Sequence, residues 1–206
     1  MTEPSLLTRT QCEETLSNHV SVLNECFQSA WERWRDWLPQ VKGSPADLTA
    51  HARARVLHDF IRAEVKRRLL GKPGVQIKES RGLLVVRIRD RVVIRFKKFS
   101  GKALKTSGNW NQQTAAFDAH HLELSEDELQ PITHLVAGYL LNELEAGIEK
   151  VAITCLVEGQ HFWPPIEIFT EAAEHTATVH VTDVADPTVS KPRVRSTRRK
   201  KATEGE

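Results

Sequence analysis

The chain has 206 residues, 40% of them apolar and 27% charged, the proportions of a globular domain and not of a disordered or fibrous chain. It contains no apolar run near the roughly 20 residues of a membrane span and no leading signal pattern, and its three cysteines (Cys12, Cys26, Cys155) lack CxxC spacing. These features argue against a membrane partner, a disulfide framework and a zinc knuckle, and predict a cytoplasmic protein with reduced thiols. The net charge of +2 hides a blockwise pattern: −3 over residues 1–50, +13 over 51–105, −13 over 106–186 and +5 over 187–206. The basic block therefore has either an anionic partner or its own acidic block to face.

In chain order, Thr10 with Glu13 reads as a capping box, after which Leu16, Val20, Leu23, Phe27, Trp31, Trp34 and Leu38 recur at helical spacing. That predicts one long amphipathic helix ended by Pro39, its aromatic stripe belonging to the core. Ser44, Pro45 and Asp47 mark a second helix start, with Val56, Leu57, Phe60, Ile61, Val65 and Leu69 on its apolar face and Gly71 as its stop. Residues 10–71 should thus form an antiparallel helical hairpin. The cations Lys66, Arg67, Arg68 and Lys72 suit the negative end of the second helix.

Strands are expected over 75–168. VQIKES leads through Arg81-Gly82 into LLVVRIR and then RVVIRFKKF. Val86, Ile88, Val92, Ile94 and Phe96 share a face only if the connection has an odd number of residues, most simply Arg89-Asp90-Arg91. The other face then carries Arg87, Arg95 and Lys97, with Arg89 and Arg91 at the tip. SGKALKTSGNWNQQTAAFDAHH reads as a loop, with a short helix starting near AAFDAHH. HLVAGYLLN and EKVAITCLVEG read as two strands joined at ELEAG, followed by a third around FWPPIEI. Residues 183–206 carry no periodic pattern and read as a disordered basic tail, so the domain should occupy 1–182.

The hairpin holds the strongest functional signal. Guanidinium forks offer paired donors to phosphate and keep their charge, and counterion release adds a driving force independent of sequence. Arg87, Arg89, Arg91, Arg95, Lys97, Lys98 and Lys102, with Asn109 and Gln112 from the polar loop, form the expected nucleic-acid footprint. The competing reading is a wet sheet face whose charge is cancelled by Glu149, Glu158 and Glu167 on neighbouring strands. Catalytic chemistry has less support. Glu64-Val65-Lys66 has the letter spacing of a metal nuclease but falls on a helix, and no HExxH, GxxxxGK[ST], GxGxxG or GxSxG occurs. The pair His120-His121 beside Asp118 could hold a metal or a proton but reads more readily as exposed side chains, and His175 and His180 with Glu171, Glu174 and Asp183 offer at most an adventitious metal site. No metal or other cofactor is expected.

RFKK (Arg95 to Lys98), the polar residues Ser107, Asn109, Gln112 and Gln113, LVAGY (Leu135 to Tyr139), VAITC (Val151 to Cys155) and Trp163 together resemble a family of toxin-like proteins. Its members are encoded beside regulators of the Xre plus ImmA/IrrE metallopeptidase type, in Rosmer-type toxin–antitoxin modules. The resemblance spans the central half of the chain, and departs from the family at Leu156, where a Pro is usual, and at Asn142, where an Asp is. It implies a toxin or phage-defence effector neutralised by a cognate antitoxin or regulator, and it transfers no catalytic residue.

The fold expected is α+β: a helical hairpin packed on a mostly antiparallel sheet of about six strands. The function expected is nucleic-acid binding by a basic hairpin under the control of a partner protein. Any enzymatic activity would be that of a nuclease, with a metal-independent ribonuclease favoured because Arg and Lys can stabilise charge building on phosphate. The alternative is a non-enzymatic regulatory module whose basic and acidic blocks dock protein.

Overall fold

A computed structural model describes residues 6–41, 47–80, 82–106, 112–120 and 132–170. The basic tail, Asn109 and His121 lie outside these residues. The fold is α+β, with N-terminal helices packed on a multi-stranded, mostly antiparallel sheet.

The first helical stretch is two helices, α1 (Arg9–Leu16) and α2 (Val20–Trp37), followed by a 3-10 turn at Leu38–Gln40. The cap is Thr8, not Thr10: its hydroxyl accepts from the Gln11 N–H while the Gln11 side chain accepts from the Thr8 N–H. Ser17-Asn18-His19 interrupts the apolar stripe with weak helix formers, and the Ser17 hydroxyl bonds back to the Glu14 carbonyl. Helix α3 (Ala50–Leu69) is capped by Thr49 and so begins later than Ser44-Pro45, which lie outside the described residues.

α2 and α3 run antiparallel, as the pairings Trp37–Phe60, Arg33–Glu64 and Arg68–Glu25 require. Their facing stripes, Leu23, Phe27, Trp31 and Trp34 against Leu57, Ile61, Val65 and Leu69, are buried over one face of the sheet. Glu64 is buried among three guanidinium groups, those of Arg33, Arg67 and Arg68. Burial pushes its carboxyl up, but the hydrogen bonds from Arg67, Arg33 and Arg68 outweigh this and hold it below the usual range. Its role is structural. The cation cluster of α3 is engaged within the fold, since Arg62 and Lys66 also pair with Glu79.

The sheet runs β1 (Val75–Ser80), β2 (Leu83–Ile88), β3 (Val92–Ser100), β5 (Thr133–Leu141), β6 (Ile148–Thr154), β9 (Ile166–Thr170), with β4 (Lys105–Thr106) folded back on the end of β3. β7 (Leu156–Val157) and β8 (Gln160–His161) form a separate small ladder. In the β2–β3 hairpin Val86 faces Ile94 and Ile88 faces Val92, the register expected from a three-residue Arg89-Asp90-Arg91 connection. β3 and β5 pair in parallel, Val92 with Thr133 through Lys98 with Tyr139. A parallel pair needs a crossover, and the segment between them carries helix α4 (Gln112–Asp118).

α4 lies on the face opposite α1–α3. There Phe117, Val85, Val93, Phe99, Leu104, Val136, Ala152 and Leu156 form a second apolar cluster. Gly138 in β5 is required by the packing. A Cβ there would stand 2.5 Å from the Phe99 ring and 2.8 Å from the Lys97 carbonyl oxygen. The three cysteines are free and buried, and burial raises the thiol of Cys12 to about 11 and those of Cys26 and Cys155 to about 12. Among the described residues no helix is long and apolar enough to cross a membrane.

Candidate nucleic-acid interface

The hairpin cations of the expected footprint separate into three environments. Arg95 is 1% exposed, under α4, where its Nη2 donates to Asp118 Oδ1 at 2.6 Å and its guanidinium carbon lies 4.5 Å from the centre of the Phe117 ring. Lys97, two residues on and therefore on the same face, is half-buried, and its ammonium is pushed down by burial and then by Arg95. Arg95 thus lies under α4 and not on an open sheet face. Lys98 points the other way and donates to Glu145 Oε1 at 2.7 Å.

Among the described residues, the acids paired with Arg87, Arg95 and Lys98 include Asp90, Asp118 and Glu145, and no ion pair of these cations with Glu149, Glu158 or Glu167 is seen there. Glu167 pairs with Lys150 within the β6–β9 ladder, and Glu158 is exposed on the tight turn before Gly159. α4 also fixes a histidine network. His134 Nδ1 lies 2.8 Å from the Phe117 carbonyl oxygen, and the His134 backbone N–H donates to His120 Nδ1. His120 Nε2 lies 3.1 Å from the Leu156 carbonyl oxygen. His120 and Asp118 therefore face different partners. Among the described residues no His, Cys, Asp and Glu side chains cluster as a metal site.

The tip differs. Arg89 and Asp90 both take left-handed backbone, φ +49° and +53°, a conformation uncommon for a side chain as large as Arg. Three hydrogen bonds hold it: Arg89 N–H to the Gly74 carbonyl at 2.8 Å, Arg91 N–H to Ile88 at 3.1 Å, and Thr133 N–H to the Arg91 carbonyl at 3.0 Å. The Arg87 guanidinium bridges back to Asp90 at 2.9 Å. Arg89 and Arg91 project from this frame exposed, and among the described residues neither has an ion pair. Lys72, also exposed, belongs to the same corner. The Val75 N–H donates to the Lys72 carbonyl and the Arg89 N–H to that of Gly74, which sets both residues at the start of β1, and the His19 imidazole is pushed down by burial, then by Arg89 and Lys72.

Lys102 is exposed in the β3–β4 turn, at the far end of a nine-residue strand, roughly 30 Å from the tip. Gln112, the first residue of α4, is exposed on the opposite layer. Among the described residues, those singled out by composition therefore fall on separate parts of the fold. Sequence reasoning missed the partner roles of Asp118, at the end of α4, and Glu145, which shares the β5–β6 turn with Glu143, because nothing in the local sequence marks either as the one that pairs. Comparison of the chain with models of known protein families, with curated proteins and with solved structures returned no match.

Proposed function

We propose that the protein engages nucleic acid through the hairpin tip, with Arg89, Arg91 and Lys72 as the phosphate-holding cations. The observation that carries this reading is a pair of open arginines on a turn braced from both flanking strands. A rigid frame holds the forks in place before binding, so less side-chain and loop entropy is lost on contact. The contact is with the backbone of the polynucleotide and so is tolerant of base sequence.

The resemblance to toxin-like proteins supports a wider reading: a toxin or defence effector whose partner protein covers the tip. The same corner suits an antagonist with an acidic surface, which would compete with phosphate for Arg89 and Arg91.

The test is binding of the full chain to RNA and DNA oligonucleotides across a salt series, beside an Arg89→Glu, Arg91→Glu variant. Removing two phosphate contacts should flatten the slope of log K against log salt by about 1.8 on duplex DNA and about 1.4 on single strands. The thermal melt should be unchanged. An unchanged slope would remove the tip from the interaction, and absence of binding by the unmodified chain would overturn the reading.

A further inference from the structure

One buried side chain near the hairpin tip has no protein partner. His19, at the α1–α2 elbow, is 7% exposed, and among the described residues neither nitrogen of its ring makes a hydrogen bond. Both nitrogens keep contact with solvent, unlike the sealed Nε of Arg95 and Nε1 of Trp163. A buried imidazole placed in this way has water or a ligand as its partner.

The backbone sets His19 beside the cations of the tip. α2 and α3 pair antiparallel, Trp37 with Phe60, Arg33 with Glu64 and Glu25 with Arg68, and the same register carried back to the start of α2 brings His19 level with the turn from Lys72 to Gly74 that follows α3. The Gly74 carbonyl accepts the Arg89 N–H, and the Arg91 carbonyl accepts from Thr133, whose hydroxyl accepts from Leu7 just before α1. Helix elbow, helix end and hairpin tip therefore meet at one corner. Lys72, Arg89 and Arg91 are exposed there and have no ion pair among the described residues. Burial, then Arg89 and Lys72, push the His19 imidazole down from 6.5, so at pH 7 it is neutral and keeps a lone pair that can accept a proton.

We propose that this corner cleaves single-stranded RNA with His19 as the general base, an inference that rests on phosphate being held by Arg89, Arg91 and Lys72. His19 takes the proton of a ribose 2′-hydroxyl, the 2′ oxygen attacks the adjacent phosphorus, and the bond from phosphorus to the 5′ oxygen breaks. The leaving oxygen takes a proton from water, and the hydroxide so formed takes back the proton of the imidazolium. The products are a 2′,3′-cyclic phosphate and a 5′-hydroxyl, and no further reactant enters the balance. The guanidinium and ammonium groups stabilise the charge that builds on the phosphoryl oxygens. Bound phosphate also offsets Arg89 and Lys72, which returns the imidazole toward its ordinary value and strengthens the base when substrate is present. DNA lacks the 2′-hydroxyl and is held without being cut.

The full chain is incubated, with a chelator present, with an RNA oligonucleotide of mixed sequence, its 2′-O-methyl counterpart and DNA of the same sequence. The RNA alone should be cut, leaving ends that bear a cyclic phosphate. His19→Gln should lower the rate about 10²–10⁴-fold, the range of one general base, with the loss in kcat and not in KM. His19→Ala leaves room for added imidazole, which should restore part of the rate. Arg89→Glu with Arg91→Glu should lose binding and cleavage together. RNA bound but left uncut by the unmodified chain would overturn the proposal and leave the phosphate-holding tip standing, whereas absence of binding overturns both. Cleavage at an unchanged rate in His19→Gln, or cleavage of the 2′-O-methyl strand, also overturns it. If both His19 variants fail to fold, the unmodified chain decides alone: RNA cut to a cyclic phosphate with the 2′-O-methyl strand intact supports the proposal, and any other pattern counts against it.

Discussion

The two ends of the β2–β3 hairpin use the same residue type in opposite ways. At its base, Arg95 is buried, paired with Asp118 and covered by Phe117, and its Nε has no hydrogen-bond partner among the described residues. At its tip, Arg89 and Arg91 stand in solvent on a braced turn. The difference lies in what the topology brings alongside. The parallel β3–β5 pairing sends a crossover over the base, and with it a carboxylate, while Arg89 and Arg91 at the tip are exposed and have no ion pair among the described residues. Basic content along a strand is therefore no measure of available positive charge.

The largest expected effect breaks the base. Asp118→Ala would leave the Arg95 charge buried with no carboxylate beside it, which costs about 3–5 kcal/mol. Denaturant unfolding should show this as a lower midpoint. Replacing both partners with apolar residues, Arg95→Met with Asp118→Leu, should recover most of that loss, because no uncompensated charge remains. A loss under about 1 kcal/mol for Asp118→Ala would mean that Arg95 is not held by this pair, and the contrast between base and tip would fail.

Acid sharpens the contrast. His58 on α3 is half-buried, and burial, then Arg62 and Lys97, lowers its imidazole from 6.5 to about 4. Its folded value lies below the unfolded one, so the unfolded chain binds the extra proton between those limits. Stability should therefore fall as pH drops from 6.5 to about 4, by roughly 2–3 kcal/mol. Glu64 acts below that: its folded value is depressed, so its contribution is full above the ordinary 4.5 and is lost as pH falls through the folded value. Arginine does not titrate in this range, so phosphate binding at the tip should stay flat from pH 8 down to the onset of unfolding. A His58→Asn variant should remove most of the slope in stability between pH 6.5 and 4 and leave binding alone. Binding that tracks the stability curve would mean the tip is not the contact.

Much of this was legible along the chain because it rests on short-range periodicity. The face shared by Val86, Ile88, Val92, Ile94 and Phe96 demanded an odd connection, and the structure has it. The stripes of α2 and α3 were visible for the same reason. The break at Ser17-Asn18-His19 was not, because the apolar spacing runs through it and only local polarity marks it. Asp118 and Glu145 were invisible as partners because they lie 23 and 47 residues from the cations they hold. The division of the footprint follows from the length of β3, a property that counting charges does not contain.

The smallest expected effect lies in the turn itself. Arg89 occupies left-handed backbone that disfavours a side chain by about 1–2 kcal/mol, and glycine enters it freely. Glycine also loses more backbone entropy on folding, which offsets part of the relief. Arg89→Gly should therefore stabilise the fold by about 0.5–1 kcal/mol, read as a higher melting temperature, while weakening oligonucleotide binding. Stability and binding moving in opposite directions on one substitution would show that the strain at Arg89 is kept for what its side chain contacts. If Arg89→Gly lowers the melting temperature, the Arg89 side chain supports the fold through its packing near Gly74, and the tip is structural in the same sense as the base.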